Sequence, residues 1–369
     1  MSERVTMADI AKEAGVHKTT VSLALREHRS IPLKTRNRIR AIAEQMGYRP
    51  DPALRALVSY RNKKAESRHR PTLAFLTDWG TRLGWRECPG YAASFEGARQ
   101  RAGQLGYQLE HFWLGEPHLT HRRMSDILMA RGIHGVLVGA HRADTVDNLA
   151  LDWAQFCGVR LGYFPRNPAL HSVANDQRAV MQMACGRILA RGYRRIGLLL
   201  DQTWDRLIDR AWMAGFLAEQ QLLERMERVP LFEYAGRTCR EERAGADEND
   251  DGLPPEGLAV WLNEHRPEVV IGNGTLIQSW LRILGVSVPE DVALVDLMLG
   301  GGDKELAGVR QNHGLVGETA VDILAAQLAQ NRFGVPSLST STLVEGTWVE
   351  GASLPPLPNA VRRVVSTTA

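Results

Sequence analysis

The sequence predicts a small all-α helix-turn-helix domain, a hinge helix, and an α/β body of two parallel-sheet lobes. Three observations carry that prediction. Between residues 6 and 47 apolar residues recur at three- and four-residue spacing in three short runs, the first closed by Gly15. From residue 71 strand-like and helix-like runs alternate in two successive cycles, the pattern of parallel sheets covered by helices. Charge is divided unevenly: residues 1–70 hold 16 Lys+Arg against 7 Asp+Glu, leaving 29 against 35 for the rest of a chain of net charge +3. A basic end on a mildly acidic body is the footprint of a chain that sets one end on a polyanion.

A length of 369 residues suits two or three domains. No apolar run approaches the roughly 18 residues of a membrane span, and MSERVTMADI lacks the apolar core of a signal peptide. A cytoplasmic protein with no membrane contact is expected. Cys88, Cys157, Cys185 and Cys239 lie far apart with no C-x-x-C pair, which predicts reduced thiols.

Thr6 and Asp9 form the capped start of a first helix, with Ile10, Ala11 and Ala14 on one face. In the second helix, after Gly15-Val16-His17, Val21, Ala24 and Leu25 share one face while Lys18, Thr19, Ser22, Leu23 and Arg26 share the other. Pro32 opens a third helix, with Ile39, Ile42, Ala43 and Met46 facing inward. Three such helices describe a helix-turn-helix unit whose second helix enters the DNA major groove. Lys18 can donate to guanine O6 and N7, Thr19 can donate or accept, and Leu23 offers only apolar contact, for instance to a thymine methyl. Thr20, Ser22, Thr35 and Arg36 are placed for phosphates, which fix register without reading sequence.

VTMADIAKEAGVHKTTVSLAL, IPLKTRNRI and AEQMGYRPDPALRAL resemble the N-terminal headpiece of the lac-repressor (LacI/GalR) family of bacterial transcription regulators, almost without gaps from Val5 to about Leu57. The resemblance implies a recognition helix read through Lys18, Thr19 and Leu23, with Thr6 among the DNA-contacting residues. Leu23 departs from the arginine common in the family, and His17 stands where a capping Ser is usual, which weakens that helix start.

After the third helix comes GYRPDPALRALVSYRNKK, where Pro50 and Pro52 forbid simple continuation. A short helix from Pro52 groups Ala53, Ala56 and Leu57 beside basic Arg61, Lys63 and Lys64. By resemblance this is a hinge helix that pairs with its twin, with Ala56 and Leu57 at the minor groove, where a leucine wedge unstacks a step and bends the duplex. So short a helix needs its twin and DNA to be stable, so ordering and binding are coupled.

In the body, TLAFLTD, YQLEHFWL, HGVLVGA and RLGYF read as strands of a first lobe. After a break at 165–176, RIGLLLD, EVVIGN and DVALVDLM read as strands of a second. Ligands bind outside the carboxyl ends of such strands, so a cleft between the lobes is the expected site. The region resembles the family's periplasmic-binding-protein-like type I domain in GIHGVLVGA, ANDQ, RAWMAGF, PEVVIGN, PEDVALV and VRQNHGLVGETAVDIL. The expected organisation is residues 1–50 as DNA-binding domain, 51–70 as hinge and linker, and 71–369 as effector and dimerisation domain. Lobe one takes about 71–170 and 302–332, and lobe two 171–301 and 333–355.

By resemblance Asp176 and Asn273 line the cleft and suit hydroxyl groups. Trp212 stands where a ligand-gripping arginine is frequent, and Met298 where an aspartate is expected. Arg210 is a possible substitute for the missing arginine. Trp79, Trp85, Trp204 and Trp212 could stack on a sugar ring or another flat ligand, or serve as core. Asp247, Asn249, Asp251 and Gly252 open like a calcium loop, but the twelfth position is Leu258 and Pro254-Pro255 interrupt it. No G-x-S-x-G and no metal-spaced His/Cys/carboxylate group occurs, so no catalytic residue, metal or cofactor is expected. The expected protein is a homodimeric regulator, a repressor of carbohydrate-related genes, that binds palindromic double-stranded DNA under control of a small effector, a sugar or sugar derivative. NAVRRVVSTTA is too short for a leucine heptad array, which favours a dimer over a tetramer. A regulator with a degenerate cleft, or a solute-binding protein with a basic arm, remain as alternatives.

Overall fold

The computed structural model describes residues 6–25, 31–46, 70–141, 148–236, 252–300 and 305–357. The N-terminal unit has three helices, α1 (Met7–Ala14), α2 (Lys18–Leu25) and α3 (Leu33–Gln45). Thr6 caps α1 in a reciprocal capping box with Asp9, whose carboxyl those hydrogen bonds hold below its ordinary range. Gly15 ends the helix in the left-handed region at φ 63°, a conformation that a Cβ disfavours. Ile10, Val21, Ala24 and Ile39 are buried together where the three helices meet. Arg26 and the whole segment 47–69, including the predicted hinge residues Ala56 and Leu57, lie outside the described residues.

The body holds two six-stranded sheets. The first runs in the order β11-β5-β4-β3-β1-β2, from β1 (Thr72–Asp78), β2 (Gln108–Trp113), β3 (Gly135–His141), β4 (Cys157–Leu161), β5 (His171–Asn175) and β11 (Ser341–Val344), all parallel. The second runs β12-β10-β9-β8-β6-β7, from β6 (Ile196–Asp201), β7 (Phe232–Tyr234), β8 (Val269–Gly272), β9 (Ala293–Asp296), β10 (Ala307–Arg310) and β12 (Thr347–Val349). Only β12 is antiparallel there. Central strands such as β3 are buried along their whole length, which is why they read as unbroken apolar runs in the sequence. No described helix is long and apolar enough to cross a membrane.

The sheet memberships correct the expected lobe boundaries. Residues 171–175, placed in lobe two and in a break between strands, form β5 of the first sheet. Residues 307–310, placed in lobe one, form β10 of the second. The final segment divides, β11 joining the first sheet and β12 the second. The chain therefore crosses between lobes three times, after β5, after β10 and after β11. Strand pairing is non-local, and local periodicity does not encode it. The cysteine expectation also fails in part: Cys88 is disulfide-bonded, since folding can join thiols that sequence spacing keeps apart. Cys157 and Cys185 are free and buried, and burial pushes both thiols up to about 12.

In lobe one, α4 (Pro89–Gln104) lies against α11 (His313–Gln330), the last helix. The contact depends on glycine: a Cβ at Gly317 would overlap the Ser94 carbonyl, and one at Gly97 the Gly314 carbonyl. By contrast Gly186, within α6 (Gln177–Ala190), has open space around it. Gly317→Ala should lower the unfolding free energy by about 1–3 kcal/mol through overpacking. Gly186→Ala should raise it by about 0.5–1 kcal/mol through helix propensity. Urea unfolding of the two variants checks the opposed signs.

Candidate nucleic-acid interface and ligand cleft

On α2, Val21 and Ala24 are buried while Lys18 and Thr19 are exposed; Thr20, Ser22 and Leu23 are half-buried. The exposed edge thus carries the predicted base readers beside an apolar Leu23. His17 Nδ1 accepts from the Thr19 backbone N–H at 3.4 Å and lies 2.8 Å from Thr19 Oγ1. The imidazole therefore takes the place of the usual serine cap and engages the Thr19 hydroxyl. Thr35 and Arg36 are half-buried at the start of α3, and Arg38 ties α3 to α1 by donating to Ala14 O at 3.2 Å. Thr6 is committed to its cap.

Between the sheets lies a cavity of about 960 Å³, lined by the carboxyl ends of strands from both lobes and the helix starts that follow them. Of the predicted ligand residues it takes in Trp204, Asn273 and Met298. Asn273 caps α10 (Gly274–Ile283), its Oδ1 accepting from Leu276 N–H at 3.4 Å. Met298 N–H donates to Asp296 Oδ1 at 2.8 Å, so a buried aspartate borders the cavity two residues before the position expected.

Five predicted residues do not border the cavity. Trp212, 1% exposed on α8 (Ala211–Gln220), is core: its Nε1 donates to Gln177 Oε1 at 2.8 Å. Trp79 is buried in lobe one, ring to ring with Tyr91 at 5.5 Å, and Trp85 is buried against Phe75 and Phe95. Asp176 caps α6, its Oδ1 accepting from Ala179 N–H at 2.9 Å. Arg210 is exposed in the left-handed region ahead of α8. Both Trp212 and Asp176 are spent on structure, which residue type alone does not reveal.

Sequence reasoning missed Asn175, Gln311, Asp296 and His313, all at the cavity. A usable signal existed, since each is polar and sits where a strand gives way to a helix or turn. Asn175 Nδ2 donates to His313 Nδ1 at 2.8 Å, and Gln177 Nε2 donates to Gln311 Oε1 at 2.8 Å. Burial pushes the His313 imidazole down to about 4, so the folded protein holds it neutral at pH 7.

A helix-turn-helix unit joined to a two-lobed, binding-protein-like body defines the class of protein. The model of bacterial regulatory proteins of the lacI family matches residues 6–51, and that of the periplasmic binding protein-like domain matches residues 186–354. The chain thus carries a lacI-family DNA-binding domain and a periplasmic-binding-protein-like domain, the make-up of a DNA-binding transcription regulator. It is 24% identical over 343 residues to the HTH-type transcriptional regulator MalR of Streptomyces coelicolor, spanning 87% of this chain and 90% of MalR. The HTH-type transcriptional regulator Rv3575c of Mycobacterium tuberculosis is 27% identical over 205 residues, spanning 53% of this chain and 52% of that one. Two solved structures share the fold. The transcriptional regulator CelR–cellobiose complex matches at a TM-score of 0.54 and 20% identity, covering 95% of this chain and 100% of that one. The lac repressor dimer bound to operator and the anti-inducer ONPF matches at 0.52 and 17%, covering 96% and 100%.

The unfolded chain protonates a histidine near pH 6.5, whereas folded His313 resists protonation down to about 4. Between those values the unfolded state binds more protons, so stability falls as pH falls through that window. His313→Gln should flatten the slope of unfolding free energy between pH 6.5 and 4, measured by urea titration against wild type. Equal slopes would remove His313 from the account.

Proposed function

We propose that this regulator is a homodimeric repressor of carbohydrate-related genes, binding a palindromic operator under control of a small sugar or sugar derivative in the inter-lobe cleft. The observation that carries this reading is the cavity between the two sheets, joined in one chain to a helix with an exposed Lys18-Thr19 edge. A ligand that touches both lobes binds open and closed forms with different affinity, and only such a difference shifts their populations. Two headpieces on adjacent major grooves, with paired hinge helices between them, would read that shift as altered DNA affinity. The cellobiose of CelR and the operator-bound lac repressor dimer support the ligand class and the assembly.

A second reading, a regulator whose cleft has lost its effector, is favoured by Trp212 and Met298 at positions where the family has charged anchors. Thermal-shift screening of sugars and sugar derivatives separates the two, because a ligand selective for the folded state raises apparent stability.

In-vitro selection with the full-length protein should recover a palindrome. Lys18→Ala should cost about 1–3 kcal/mol on that site and relax one base position. Leu23→Arg should change base preference at one position per half-site more than it changes overall affinity. Equal changes on all sequences, measured by electrophoretic mobility shift, would show that neither residue reads bases.

A further inference from the structure

The two lobes present their helix starts to the cavity differently. In lobe two, Asp176 caps α6, Asn273 caps α10, and Asp201 caps α7 (Gln202–Leu207). In lobe one neither α4 nor α11 has a side-chain cap, their N-cap residues being Cys88 and Asn312. These are the two longest described helices of lobe one. Glycine contacts at Gly97, Gly314 and Gly317 bring their backbones together, so their first turns open side by side.

Gly90 of α4 and His313, Gly314 and Leu315 of α11 all border the cavity. Backbone N–H groups of an uncapped first turn have no partner within the helix, and the helix dipole favours negative charge there. An independent feature points to a ligand. Asn175, 7% exposed, borders the same cavity and holds His313 through its Nδ2, while its Oδ1 has no hydrogen-bond partner among the described residues. A buried acceptor of that kind calls for a donor. Arg310, exposed at the cavity just before α11, forms no ion pair among the described residues. Two carboxylates also border the cavity: exposed Glu87, and Asp296, which accepts from Met298 N–H on the opposite lobe.

We propose that the effector is an acidic polyol, a hydroxylated carboxylate or phosphate ester. Its anionic oxygens sit on the paired N-termini of α4 and α11 near Arg310, and a neighbouring hydroxyl donates to Asn175 Oδ1. The assignment rests on the effector reading above and adds its charge class. Recognition of charge has moved from the second-lobe positions now held by Trp212 and Met298 to the first lobe.

Calorimetric titration of the full-length protein at constant ionic strength tests this with glucuronate, gluconate and glucose 6-phosphate against glucose and cellobiose. At least one acid should bind about tenfold or more tightly than both neutral sugars, a difference of about 1.4 kcal/mol. The acid that binds tells carboxylate from phosphate. Asn175→Asp, which sets a carboxylate beside the paired helix starts, should weaken that acid about tenfold or more. Arg310→Gln, at an exposed side chain whose loss leaves the core intact, should weaken it in the same direction. Neutral sugars binding as tightly as every acid, or acid binding untouched by both variants, overturns the proposal and leaves the effector reading standing. Binding by none of the five also overturns the proposal, and the effector reading is then decided by the thermal-shift screen.

Discussion

The three chain crossings between the lobes are the constraint on which the rest of the body depends. Each crossing is tied to another by hydrogen bonds. Asp176 N–H donates to Val344 O at 2.8 Å, and Asn312 Nδ2 donates to Glu345 O at 2.7 Å. Gln177 and Gln311, both buried, bond to each other, and Gln311 reaches Leu297 O at 2.9 Å. A buried polar network with its groups paired specifies one geometry, since breaking any member leaves the others unsatisfied. Three tied crossings resist sliding or separation of the lobes.

Trp212 shows how a change of residue type can redirect a position. Its indole is buried beside Trp204, and its N–H donates to Gln177 of the crossover network. A charged side chain buried there would need a partner or would cost several kcal/mol in lost hydration. Indole instead fills apolar space and supplies one donor. The position therefore fastens α8 to the crossing, and the cavity wall on that side is left to Trp204.

Much of the architecture was legible in the sequence because it is local. The first three helices follow from apolar spacing, a capping box and a glycine stop, all within 40 residues. Strands such as TLAFLTD and IGLLLD stand out because burial on both faces makes them continuous apolar runs. β5, β7 and β11 did not stand out, being short and partly polar. Lobe membership was misread because it depends on which distant strands pair, as with β11 on β5. In the cleft, residue types and family positions located Trp204, Asn273 and Met298 but not the Asn175–His313 pair. That pair exists only because two crossings far apart in sequence meet in space.

The proposed control by a cleft ligand requires that DNA binding at the headpiece and the geometry of the crossings be coupled. Hydrogen–deuterium exchange of the full-length protein, with and without its selected palindrome, measures this without knowledge of any effector. Coupling predicts altered protection at residues 175–177, 310–313 and 344–347 when operator is bound. Protection confined to the headpiece and its linker, with the three crossings unchanged, would contradict it.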